Sequence, residues 1–246
     1  MVLTRNATFL HIPKTGGTWV RRVIGDSCTT YNTKHSLLVP DSYKDKPVFT
    51  FVRNPWAWHV SFYNYIKYGQ RDKEPLSGAS LYRNLLWKHI LWKHVFSANV
   101  TFEEFVRTFT GPDQYFKDRL AELDELRIRY LSLEKKKTIG DMSDNFKYDI
   151  ITNIWKETGK GIYQCTVDAY TAPTTRIGKT ESIRTDLKLM LASVDELTSD
   201  IEQKIDILAP VNFSIPTDYR KYYTAETRQL VAESAKSMIE KFNYDF

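Results

Sequence analysis

Apolar positions fall into two kinds of run. Ala7–Ile12 (ATFLHI) and Pro47–Arg53 (PVFTFVR) are short, nearly unbroken and rich in β-type residues, the pattern of strands buried on both faces of a parallel sheet. The first breaks at Pro13, passes through Gly16 and Gly17, and leads into a helix that starts near Gly17 or Thr18 and runs to about Gly25. The second ends at Arg53, where Asn54 can cap and Pro55 can open the aromatic helix WAWHVSFYNYIKY. Helical spacing recurs over Leu81–Phe96, Ile183–Val194 and Glu196–Leu208, the last stopped by Pro210. Thr101 with Glu104 forms a capping box ahead of a helix that stops at Gly111-Pro112. Tyr222–Phe242 reads as one long closing helix with Thr224 as N-cap.

The intervening stretches are less regular. Residues 27–46 read as a loop with at most a short strand near Tyr31, and residues 69–79 as a Gly-, Pro- and charge-rich loop. Residues 117–134 begin helical and turn strand-like over Arg127–Leu133, and a short helix is expected at Tyr148–Thr158. Gly159–Tyr170 alternates weakly, as an edge strand or hairpin would. No internal repeat and no linker is visible. The expectation is one α/β domain over residues 1–246, with a central, mostly parallel sheet and helices on both faces.

Composition narrows the function classes. The net charge of +5 is mild for 246 residues and suits an anionic nucleotide or an acidic acceptor. There is no arginine-rich arm, zinc-finger spacing or RNA-binding sheet motif, so nucleic acid is not expected. Cys28 and Cys165 are the only cysteines, too few for a disulfide scaffold or a CxxC pair, and their pairing is left open. No apolar run approaches the ~18 residues of a membrane span. The first strand begins within seven residues of Met1, leaving no room for a signal peptide, so a cytoplasmic location is expected. Asn6, Asn99 and Asn212 begin N-glycosylation sequons that matter only in a secreted chain.

The candidate chemistry sits at the strand ends. A strand, a glycine turn and a helix N-terminus form an anion site, because backbone amides and the positive end of the helix dipole converge there. Lys14 adds a full charge, and Thr15 and Thr18 add hydroxyl donors around Gly16 and Gly17. The order departs from the ATP/GTP loop GxxxxGK, whose Lys follows the last Gly, whereas Lys14 precedes both glycines, and this disfavours an NTPase. An ordinary strand-to-helix turn that carries a Lys is the plainer alternative. Arg53 is also placed at a strand's carboxyl end, where α/β sheets bind ligands, and Ser61 follows about two turns into the next helix.

PKTGGTW resembles the 5′-phosphosulfate loop of sulfotransferases that use 3′-phosphoadenosine-5′-phosphosulfate (PAPS), and RNPWAWHVSFYNY resembles their 3′-phosphate motif. RIGKTE is similar to a late segment of the family, with Lys179 and Thr180 in place of its Arg-Phe. The closing YYTAETRQLV…IEKFNYDF resembles the last helix of membrane-type and phage- or bacterium-like members. The resemblance implies a P-loop-like sulfotransferase fold and sulfuryl transfer from PAPS to a hydroxyl, less readily an amine, of a small molecule or glycan. It implies Lys14, Thr15, Gly16, Gly17 and Thr18 as the phosphosulfate cradle, Arg53 and Ser61 on the 3′-phosphate, and Trp19 stacked on adenine. Lys14 and His35 are the expected catalytic pair, Lys14 neutralising the leaving phosphate and His35 taking the acceptor's proton, with no metal required. Asp72 or Glu74 is the next candidate base.

The remaining residues have simpler readings. Arg21 or Arg22 can face the phosphates. His11 can orient the loop, while His59, His89 and His94 read as packing or surface residues, with no HExxH spacing among them. Trp56, Trp58, Phe62, Tyr63 and Tyr65 read as core, with some available to line an acceptor pocket. A nucleotide kinase or other P-loop NTPase, and a non-catalytic nucleotide- or glycan-binding relative, are the alternatives.

Overall fold

A computed structural model describes residues 1–25, 39–68, 101–110, 158, 160–209 and 218–246. His35, Cys28, His89, His94 and the elements expected near Tyr31, at Leu81–Phe96, over residues 117–134 and through most of Tyr148–Thr158 lie outside them, as do Asp72 and Glu74.

The described chain is α/β. Four strands, β1 (Val2–Leu3), β2 (Thr8–Leu10), β3 (Val48–Val52) and β4 (Arg176–Lys179), form one sheet in that spatial order. β1 runs antiparallel to β2, while β2, β3 and β4 are parallel. In register, Leu10 faces Thr50 and Val52 faces Lys179, so the carboxyl ends of the three parallel strands open on one edge. Two of these strands are the apolar runs of the sequence. The two-residue β1 was not anticipated, because a strand that short leaves no periodic signature.

Alternation along the strands separates two cores. Phe9, Phe49 and Phe51 point to one face and pack on α1 (Gly17–Ile24), α5 (Ile183–Ala192) and α6 (Ser199–Ile207) through Val20, Val23, Leu187, Leu191 and Ile205. Leu10 and Val52 point to the other and pack on α2 (Pro55–Tyr68), α4 (Ile162–Tyr170) and α8 (Lys236–Phe242) through Trp58, Tyr163, Tyr170 and Met238. A third cluster lies off the sheet, where α3 (Phe102–Thr110) and α7 (Ala225–Ser234) meet α2 around Phe105, Val106 and Val231. The expected helices on both faces are therefore present. The predicted caps form as well. Asn54 Oδ1 accepts from the Ala57 amide at 3.2 Å, and the Thr101–Glu104 box closes in both directions at 2.8 and 3.2 Å.

Two expectations are corrected. Gly159–Tyr170 is not an edge strand; it forms α4. Tyr163, Val167 and Tyr170 recur at helical spacing and all enter the core, and this burial outweighs the β-preference of the segment. The Thr166 hydroxyl fits the helix by donating to the Ile162 carbonyl at 2.7 Å. The closing helix is likewise two helices, broken at Ala235 (φ −119°, ψ 22°). At the break the Ser234 carbonyl accepts from the Gly161 amide at 3.2 Å, and a Cβ on Gly161 would stand 2.8 Å from that of Ser234. α4 and the closing pair thus approach backbone to backbone, and the helix bends where its carbonyl turns outward.

Candidate anion site at the strand ends

The loop after β2 is held from within and from beneath. The Thr15 hydroxyl donates to the Ile12 carbonyl at 2.9 Å, closing the turn. Gly16, the residue before α1, has φ 81°, the left-handed region that glycine enters without steric cost. A Cβ on Gly17 would lie 2.0 Å from the His11 ring, so only glycine fits there. His11 orients the loop by packing its ring, stacked on Phe9 at 6.2 Å, beneath the first turn of α1.

Lys14 also has positive φ, 68°, which costs a non-glycine residue of order 1–2 kcal/mol. Its ammonium lies over the Tyr65 ring, 4.3 Å from the centroid. The N-terminus of α1 has no side-chain cap and no acidic residue in its first turn. Its leading amides and dipole are thus left to attract an anion, and exposed Thr18 stands beside them.

Arg53 enters this site from β3. Its guanidinium donates to the Lys14 carbonyl at 3.4 Å, which brings the two sequence motifs into contact. Burial pushes the guanidinium below its ordinary pKa, and Glu181 acts in the opposite sense. The backbone of Arg53 is gripped by Tyr163, whose hydroxyl accepts from the Arg53 amide at 2.8 Å and donates to its carbonyl at 2.9 Å. Ser61 is buried, 6 % exposed, in the second turn of α2.

The residues after β4 fasten these parts together. The Thr180 hydroxyl reaches the Thr15 carbonyl at 3.1 Å and the Val52 carbonyl at 2.9 Å, spanning the ends of β2 and β3 with one shared proton. Glu181 accepts from the Asn54 amide at 2.8 Å and from the Tyr244 hydroxyl at 3.4 Å, and Asn54 Nδ2 donates to the Asp245 carbonyl at 2.7 Å. The Lys179 ammonium donates to the Phe242 carbonyl at 2.6 Å, so Lys179 ties down the C-terminal residues. Thr180, Glu181 and Tyr163 build the site without having been assigned a role in it from the sequence. Only the family-like RIGKTE strip signalled the first two; Tyr163 carried no signal, because its segment reads as a strand.

Trp19 does not offer an open face for adenine: it is 3 % exposed inside the first core, and its indole N–H donates to the Leu208 carbonyl at 3.1 Å. The apolar face of α1 requires a large side chain there, and the ring fills it. Arg22 is exposed, whereas Arg21 is half-buried with an Nε that has no partner among the described residues. Of the aromatic cluster, Trp56, Trp58 and Tyr63 are buried, while Tyr65 is 41 % exposed beside Lys14.

The arrangement can hold a compact polyanion between a helix N-terminus, an ammonium and a guanidinium. No described helix is long and apolar enough to cross a membrane. In comparisons with known proteins, no family model, no curated protein and no solved structure matches this chain.

Proposed function

We propose that this chain is a sulfotransferase of the P-loop-like fold, moving a sulfuryl group from PAPS to a hydroxyl, less readily an amine, of a small molecule or glycan. One observation carries the proposal: Arg53 meets the Lys14 carbonyl at 3.4 Å beside the uncapped N-terminus of α1. Two cationic side chains and a set of helix amides thus surround one edge of the sheet, as a nucleotide with separate 5′- and 3′-anions requires. The residues fit such a ligand, since the glycine cradle lets phosphate oxygens approach the backbone and no acidic side chain opens α1.

The bound nucleotide supplies the sulfuryl group, whose sulfur gains a bond to the acceptor oxygen as its bond to the 5′-phosphate oxygen breaks. Lys14, whose ammonium lies over the Tyr65 ring, would neutralise charge on the phosphate leaving group, and the amides of Gly16, Gly17 and Thr18 would hold the phosphosulfate. Arg53, with Ser61, holds the 3′-phosphate through a planar fork of donors. His35 accepts the acceptor's proton, a role suited to imidazole as a general base at neutral pH.

The test is transfer of radiolabel. Incubation with 35S-labelled PAPS and a panel of phenolic, alcoholic, amine and glycan acceptors is expected to label one class. Labelling from γ-32P-ATP instead would make the chain a kinase, and binding of the nucleotide without transfer to any acceptor would make it a non-catalytic relative.

A further inference from the structure

We infer that Tyr163 is the positioning residue that sets Arg53 for the 3′-phosphate, an assignment that rests on the sulfotransferase reading. β3 ends at Val52, so Arg53 lies just beyond the ladder that fixes the strand. In an extended chain a residue's N–H and C=O point to the same side, and there they would meet a neighbouring strand. At Arg53 they meet one phenol, which accepts from the amide at 2.8 Å and donates to the carbonyl at 2.9 Å. A hydroxyl has one proton to give, so this exchange uses it fully.

The ring is fixed as firmly as the hydroxyl. Tyr163 is fully buried and stacks on Trp58 at 4.2 Å and 14°, and Trp58 Nε1 donates to the Pro13 carbonyl at 2.9 Å. A single aromatic pair therefore touches the residue before Lys14 and the backbone of Arg53. It sets the spacing between the backbones of Lys14 and Arg53, and both rings are buried. The Arg53 guanidinium spans to the Lys14 carbonyl only if its backbone root stays in place.

Tyr163→Phe removes the hydroxyl and keeps the stack on Trp58. The probes are 3′-phosphoadenosine-5′-phosphate and adenosine 5′-phosphate, with affinities measured by calorimetry on wild type, Tyr163→Phe and Arg53→Ala. The wild type is expected to prefer the 3′-phosphorylated nucleotide, and Tyr163→Phe to lose about tenfold of that preference while binding adenosine 5′-phosphate within about twofold of wild type. The double variant should lose no more than Arg53→Ala alone, because Tyr163 acts through Arg53. Full retention of the preference in Tyr163→Phe, or an equal loss for both nucleotides, would overturn the inference and leave the sulfotransferase reading intact. A wild type without any preference would overturn the 3′-phosphate role of Arg53 and the inference with it. If Tyr163→Phe does not fold, amide exchange at Arg53 in the wild type decides. Exchange that slows further with 3′-phosphoadenosine-5′-phosphate than with adenosine 5′-phosphate supports the inference, and exchange indifferent to the 3′-phosphate overturns it.

Discussion

His59 lies on α2 between the rings of Trp58, Phe105 and Tyr163, at centroid distances of 5.1, 6.3 and 6.4 Å. Its Nδ1–H donates to the Pro55 carbonyl at 2.8 Å, and Nε2 has no partner among the described residues. Burial pushes its pKa down from 6.5 to about 4. The unfolded chain therefore takes up a proton near pH 6.5 that the folded protein resists until about pH 4. Between these values the unfolded state binds more protons, so stability is full above the upper one, falls on acidification and stops changing below the lower one. The whole effect is at most about 3 kcal/mol. Urea unfolding at stepped pH should show this acid limb in the wild type and a flatter one in His59→Phe. An unchanged limb would assign it to other groups. Trp19 makes a second residue-scale prediction. As a core side chain, its replacement in Trp19→Ala should cost about 3–5 kcal/mol of unfolding free energy, read by urea denaturation. A variant of normal stability and weakened nucleotide binding would return the ring to the ligand. Lys14 and His35 divide differently. Lys14→Ala should lose both turnover and nucleotide affinity, whereas His35→Ala should lose ~10²–10⁴-fold in turnover with affinity nearly unchanged. Near-normal turnover in His35→Ala would place the base elsewhere.

At the scale of elements, the loop between β2 and α1 is shaped by what lies under it. Gly17 lies against the buried His11 ring, which is stacked on Phe9. Gly17→Ala should therefore destabilise the protein by about 1–3 kcal/mol or more and weaken nucleotide binding. Adding His11→Ala vacates the space, so the double variant should bind better than Gly17→Ala alone, which a double-mutant cycle would measure. Additive losses would mean the two residues do not meet. This loop was legible in the sequence because glycine, proline and an unbroken apolar run are local signals. β3, the Asn54 cap and the Thr101 box were legible for the same reason. α4 was not, since its helical period lies among β-branched and aromatic residues and only packing selects it. Nor was the bend at Ala235, which depends on Gly161 about seventy residues earlier in the chain. Trp19 follows the same logic: its position at the start of α1 is local information, whereas the Leu208 carbonyl and the core that enclose it come from far along the chain.

For the molecule as a whole, the site is where four distant stretches of chain are joined. Thr180 bridges Thr15 and Val52, Glu181 holds Asn54, and the residues around Phe242–Asp245 fasten Lys179, Glu181 and Asn54 in turn. A ligand that binds only this assembled edge must stabilise the entire fold, by about 2.7 kcal/mol at a hundred times its dissociation constant. For a chain of this size that corresponds to a rise in Tm of roughly 5–10 °C. 3′-Phosphoadenosine-5′-phosphate should give this shift, adenosine 5′-phosphate at the same concentration a smaller one, and added salt should reduce both because the contacts are ionic. Thr180→Val keeps the side-chain shape but removes the donor to two carbonyls. It should lower the ligand-free Tm through a loss of about 1–3 kcal/mol. The nucleotide-induced rise at a fixed concentration should shrink as well, because the loop after β2 and Arg53 would no longer be held in register. A Thr180→Val protein whose Tm falls but whose nucleotide shift equals that of the wild type would show that the bridge serves the fold alone, with the anion site assembled by Tyr163 and Glu181 without it.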